Sequence, residues 1–271
     1  MDSPVNSPCK PRRTLSRGAI LLLAAAFLPP AFSLLPETAA EEPQGARSEP
    51  LPTIPRPWKK KLSKPPAARA ETSSAQEGQA LDAPPGQWVE LLKRIDPDKH
   101  GRSGAWRLAD AQLEVHSADS TARLVVPVAP KGSYALRIEF TRTLDGMIGV
   151  ILPVGQRQCL AAINYRGAAN GLDMISGRRA DNNQSTFPGV LANDRRYTLE
   201  ITVRVDDAEA AVTVNLDDRP LVFYRGPVAE LGLNNQWSLP HRNCLGLVAQ
   251  CNAVFHSMKF RSSSGRATIL P

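Results

Sequence analysis

Residues 87–262 read as an all-β domain of antiparallel strands, a sandwich or a barrel. Three observations predict this. Apolar and polar residues alternate along several stretches, the period of a strand with one wet side. Such stretches recur at roughly 8–12-residue intervals, with Asp, Gly and Pro between them. No stretch of the domain carries the pattern of a long helix.

The elements follow in order. Trp88 to Ile95 is a short helix or an extended lead-in. Trp106–Leu108 and Gln112–His116 bracket a turn at Ala109–Ala111. Arg123–Pro127 follows, then Tyr134–Arg142, where Tyr134, Leu136, Ile138 and Phe140 share one face and Arg137, Glu139 and Thr141 the other. Gly146–Val154 and Gln158–Tyr165 are apolar throughout, as buried strands are. In Thr198–Val205 the alternation returns, with Leu199, Ile201, Val203 and Val205 inward. Turns at Asp206-Asp207 and at Asp217–Pro220 separate Ala211–Leu216 and Leu221–Tyr224, completing a meander. Aspartate tolerates left-handed turn geometry and hydrogen-bonds its own backbone, which suits tight hairpins. Cys244–Gln250 and Ala253–Phe260 close the domain, and residues 263–271 form a tail.

Upstream the composition changes. Lys10, Arg12, Arg13 and Arg17 precede an apolar run from Ala19 to Leu28, and small residues at Thr38 and Ala40 stand before Glu41. This is the order of an export signal spanning residues 1–40. Pro29-Pro30 argues against the alternative, an uncleaved anchor helix, because an interior proline removes a helical hydrogen bond. The remaining chain is therefore expected outside the cytoplasm, secreted or in the cell envelope, touching membrane only through an uncleaved signal. Residues 41–86 hold nine prolines in 46 positions and almost no apolar periodicity. Such a segment cannot bury enough surface to offset its ordering entropy, so it reads as a disordered Pro-rich linker.

Charge excludes some functions. The 271 residues carry 33 Lys and Arg against 26 Asp and Glu, and the excess is spread over every segment. A nucleic-acid binder usually concentrates it in a stripe. The one tight basic run, Lys59-Lys60-Lys61 with Lys64, lies in the linker, so no nucleic-acid partner is expected.

The order of several weak motifs narrows the fold. They are Leu91-Leu92-x-x-Ile95-Asp96-Pro97, Gly104-x-Trp106-x-Leu108, the Tyr134–Phe140 strand, Gly171–Gly177, the Thr213–Phe223 hairpin, Leu245-Gly246-Leu247 and Val254–Phe260. Together they resemble the concanavalin A-like, laminin-G-like jelly-roll domains, especially the 3-keto-disaccharide hydrolase-like domains of secreted bacterial proteins. The resemblance covers about residues 87–262 and implies an antiparallel two-sheet jelly roll with carbohydrate contact. Asp217-Asp218 stands where that pattern usually has Asp-Gly.

Chemistry is sparse. His100, His116, His241 and His256 are widely separated, and none has metal-ligand spacing to another His or Cys, so no metal or cofactor is expected. There is no nucleophile elbow and no phosphate loop. Glycoside cleavage needs two carboxyl groups roughly 5–9 Å apart. Most acids here have a turn explanation, and Glu139 and Glu200 face outward. Asp173 differs, because it interrupts the apolar run Leu172–Ile175. The polar loop Arg178–Ser185 follows it, with Asn183-Gln184-Ser185 formally a glycosylation sequon. Amides, guanidinium groups and aromatic rings suit sugar recognition. Tyr165, Asp173, Asn183 and Trp237 are accordingly the expected ligand-binding set around one groove, and no catalytic residue is assigned. Trp237 has a second reading, as a core plug under its loop. Cys159, Cys244 and Cys251 leave any disulfide pairing open, with one thiol left over.

The expected function is non-catalytic binding of a glycan or another envelope ligand. A glycoside-cleaving enzyme similar to the 3-keto-disaccharide hydrolases is one alternative; a protein-interaction or scaffolding module is the other.

Overall fold

The computed structural model describes residues 79–81, 84–117 and 120–270; the export signal, Cys9, the basic run and most of the linker lie outside the described residues. The strands are β1 (Gln79–Ala80), β2 (Val89–Glu90), β3 (Gly101–Ser103), β4 (Ala105–Ala109), β5 (Gln112–His116) and β6 (Ala122–Val126). Next come β7 (Val128–Pro130), β8 (Tyr134–Arg142), β9 (Ile148–Val154), β10 (Arg157–Tyr165), β11 (Ala169–Asp173) and β12 (Phe187–Pro188). The last are β13 (Arg196–Asp206), β14 (Glu209–Leu216), β15 (Arg219–Pro227), β16 (Leu245–Ala249), β17 (Ala253–Ser262) and β18 (Ala267–Ile269). The helical content described is one turn, Pro97–His100, and three 3-10 turns. The lead-in Trp88–Ile95 is β2 followed by one such turn at Leu92–Arg94.

Two sheets dominate, and their pairings are antiparallel. One has the order β12-β11-β10-β9-β16-β6-β3, the other β15-β14-β13-β8-β17-β5-β4 with β2 pairing β17 as its eighth strand. Consecutive strands β5 and β6, β8 and β9, and β16 and β17 each step from one sheet to the other. They stack in matching order, β5-β17-β8 over β6-β16-β9. The two sheets form a β-sandwich. The meander β13-β14-β15 extends one sheet, and β10-β11-β12 the other.

The core explains the two kinds of strand in the sequence. Between the sheets lie Leu136, Ile138 and Phe140 of β8 and Leu199, Ile201 and Val203 of β13, with Val150 and Leu152 of β9 and Ala161 and Ile163 of β10. The intervening residues of β8 and β13 lie toward water, so those two strands alternate. The β9, β10 and β16 strands are buried at every position from Ile148 to Val154, Gln158 to Tyr165 and Leu245 to Ala249 respectively. Their second face carries Ile151, Leu160, Ala162, Tyr165 and Val248, and the loops bearing Ala180, Trp237 and Leu239 cover it. A strand buried on both faces reads as a continuous apolar run.

Two expected boundaries shift. The tail 263–271 contains β18, which pairs with β7 and with β1, so ordered structure also reaches back into the expected linker. Strands of two or three residues have no period for a sequence pattern to show. The turn after β14 is Asp217-Asp218 alone, both at positive φ, and Arg219-Pro220 already belong to β15. That strand is at the sheet edge, where proline is tolerated.

Candidate functional site

The loop-covered face of the seven-stranded sheet gathers the expected residues. Tyr165 ends β10 and Asp173 ends β11, so the strand does not run on through Ile175. Leu172 points into the sandwich, and Asp173, one residue on, points out beneath the loops. The loop after β11 lies so close that a Cβ on Gly171 would come within 2.5 Å of the Ala180 carbonyl oxygen. Only glycine permits that approach.

Asp173 is fully buried, at 0% exposure, and both its oxygens are engaged. Oδ1 accepts from Arg179 Nε at 2.7 Å and from the Ala180 N–H at 3.3 Å; Oδ2 accepts from Trp237 Nε1 at 2.9 Å. Three donors and no acceptor face it, as a buried carboxylate requires. The Arg179 guanidinium also lies over the Tyr165 ring, 5.6 Å from its centroid. Tyr165, Asp173 and Trp237 thus meet in one cluster, Arg179 joining Tyr165 to Asp173 and Asp173 joining Arg179 to Trp237.

Asn183 belongs to the same loop but braces it from within. Its Nδ2 donates to the Leu172 and Arg179 carbonyls at 2.8 and 2.7 Å. Its Oδ1 accepts from Ser185 N and Oγ, and Ser185 Oγ accepts from Leu172 N. Asn183 and Ser185 therefore tie the loop to β11 through the carbonyl and the N–H of one residue, Leu172.

The arrangement corrects the expected open groove. Trp237 is 2% exposed and Tyr165 4%, so neither ring offers a face to solvent here. Trp237 plugs the outer core and pairs with Asp173 at the same time. Of the open groove and the core plug expected for Trp237, the structure has the plug. The sequence alone points to neither Arg179 nor Ser185. Their signal was a buried acid followed by a polar loop, and the loop's path decides which basic group reaches it.

Beside the Trp237 loop lies a cleft of about 240 Å³ lined by Gln156, Arg157, Asn235, Ser238 and Arg242. Gln158, at its base, is spent on the Cys244 carbonyl, to which its Nε2 donates at 3.2 Å. Cys159, Cys244 and Cys251 are all free and buried, and burial pushes each thiol up to about 12. Among the described residues no cluster of His, Cys, Asp and Glu is grouped to hold a metal ion, and no helix is long and apolar enough to cross a membrane.

No protein-family model matches the chain, and no curated protein sequence does. In structure it is similar to peanut lectin at 12% identity, with a TM-score of 0.44 over 68% of this chain and 98% of that one. A Bacillus subtilis protein with a galectin-like fold aligns at 12% identity and a TM-score of 0.45, over 72% and 99% of the two chains. Lectin II from Ulex europaeus aligns at 11% identity and 0.42, over 69% and 100%.

Proposed function

We propose that this chain is an extracytoplasmic module that binds a glycan, without cleaving it, in the cleft beside the Trp237 loop. One observation carries the reading. Trp237, held by Asp173, anchors a loop whose Asn235 and Arg242 line a small polar cleft together with Gln156 and Arg157 from the turn between β9 and β10. Planar amide and guanidinium donors recognise paired hydroxyls. Tyr165, Asp173, Asn183 and Trp237 then act from behind the cleft, as positioning residues.

The alternative of glycoside cleavage is disfavoured by Asp173 itself. Both its oxygens are occupied, so it has no free site to donate a proton or attack a sugar. The order of basic, apolar and small residues at the N-terminus supports export. N-terminal sequencing of envelope-fractionated protein tests that part, and a chain starting at Met1 there contradicts it.

A glycan array followed by thermal shift tests the binding. A sugar that binds should raise the melting temperature of the native protein and lose that effect in Asn235→Ala and Arg242→Ala. If no glycan binds, or if the hits ignore both substitutions, the reading fails in favour of a scaffolding module.

A further inference from the structure

The opposite surface of the molecule carries a second concavity, on the water-facing side of the eight-stranded sheet. Two hollows of about 500 and 410 Å³ adjoin there, sharing Thr202 and Arg204. The register explains the trough. Phe223 of β15, Thr213 of β14, Thr202 of β13, Ala135 of β8 and Arg261 of β17 are successive cross-strand partners. Small side chains occupy the middle of that row and large ones its ends, so the floor dips. Four strand spacings of about 4.8 Å make the row roughly 19 Å long.

The lining is chemically specific. Phe223 is 61% exposed, an unusual position for a phenyl ring on a regular strand. Thr202 and Thr213 make no side-chain hydrogen bond to other described residues, leaving two hydroxyls free. Arg204, Arg225 and Arg261 form no ion pair among the described residues, whereas seven other arginines do. Arg261 instead stacks over the Trp88 ring at 4.5 Å. Asp206 and Glu209 line the hairpin end, so the trough is only mildly positive.

We propose that this trough is a second binding site, distinct from the cleft above, for an extended oligosaccharide bearing carboxylates. A guanidinium fork pairs two-fold with a carboxylate. A phenyl face takes the apolar side of a sugar ring, and free hydroxyls suit a hydroxyl-rich chain. Asp206 and Glu209 limit the positive charge of the trough, so a saccharide that also engages the free hydroxyls and the phenyl face fits better than a nucleic acid.

Calorimetry on the full chain tests the proposal, using a short oligogalacturonate, a neutral cello-oligosaccharide of equal length and a single-stranded oligonucleotide. Oligogalacturonate should bind, and more weakly at high salt. Phe223→Ala should weaken it about tenfold, a loss of about 1.4 kcal/mol. The double substitution of Arg204→Gln and Arg225→Gln should weaken it and flatten the salt dependence. These positions face water, so the melting temperature reports that the fold is intact. Arg242→Ala, in the other cleft, should leave oligogalacturonate binding unchanged, which separates the two sites. Absent binding, equal affinity for the neutral sugar, tighter binding of the oligonucleotide, or indifference to the substitutions would each overturn the proposal.

Discussion

Trp237 concentrates the residue-scale energetics. Its ring fills the outer core and its N–H satisfies a carboxylate that has no water to turn to. Trp237→Ala removes both and should cost about 3–5 kcal/mol, as large-to-small core changes do. Trp237→Phe keeps most of the packing and removes the donor, so it isolates the hydrogen bond; a loss of about 1–3 kcal/mol is expected. Chemical denaturation of the two variants checks both numbers. The cysteines give a second residue-scale expectation. Thiols raised by burial are poor nucleophiles. Cys159, Cys244 and Cys251 should resist a thiol reagent in the native protein and react once it unfolds. Asp173 was legible in the sequence because a carboxylate in an apolar run needs partners wherever it points. Arg179 was not, because its reach depends on how the loop folds back over Gly171.

At the scale of elements, β8, β13 and β14 were readable because each has one wet face and enough length to show the period. The double burial of β9, β10 and β16 was readable as continuous apolarity, but the agent covering their outer face was not. That cover is loop, and loops carry no period. Two positions test the element geometry. Asp218 sits at φ 63°, a conformation that costs an L-residue about 1 kcal/mol. Asp218→Gly should therefore stabilise the protein by up to about 1 kcal/mol, measured by the midpoint of urea unfolding. Asp217 is different, since its Oδ1 accepts the Thr198 N–H at 2.9 Å and its Oδ2 accepts from Arg195. Gly171→Ala should act in the opposite direction, lifting the loop off β11, and its clearest sign is faster amide exchange at Ala180.

Over the whole molecule, two histidines set how stability responds to acid. Burial lowers His100, and its Nδ1 accepts the Asp96 N–H at 2.9 Å, a bond that protonation destroys. Burial and then Arg196 lower His256, whose Nδ1 is enclosed without a partner while Nε2 meets Thr141. Groups held below their unfolded value of about 6.5 add stability that is complete above that pH and is lost as pH falls through their folded values. Unfolding free energy should fall between pH 7 and pH 5, and His100→Gln with His256→Gln should flatten that slope. A rise over the same interval would contradict the assignment.

The small sheet of β1, β18 and β7 bears on the chain's path as a whole. Gln79 is paired with Ile269 across neighbouring strands, where facing Cα atoms are about 5 Å apart. The folded unit is thus nearly a closed circuit, and its opening at that seam is a matter of genetic order more than of architecture. A circular permutant should exploit this. Residue 270 would be joined to residue 79 by a short glycine-serine bridge, and new ends would be cut between Asp207 and Ala208, an exposed turn. Domains tolerate such rewiring at exposed tips when their ends lie close. The permutant should keep the native circular dichroism spectrum and unfold in one cooperative step. A molten or two-step transition would show that the seam is a passive neighbourhood and that the continuity of β13 with β14 is what holds the circuit together.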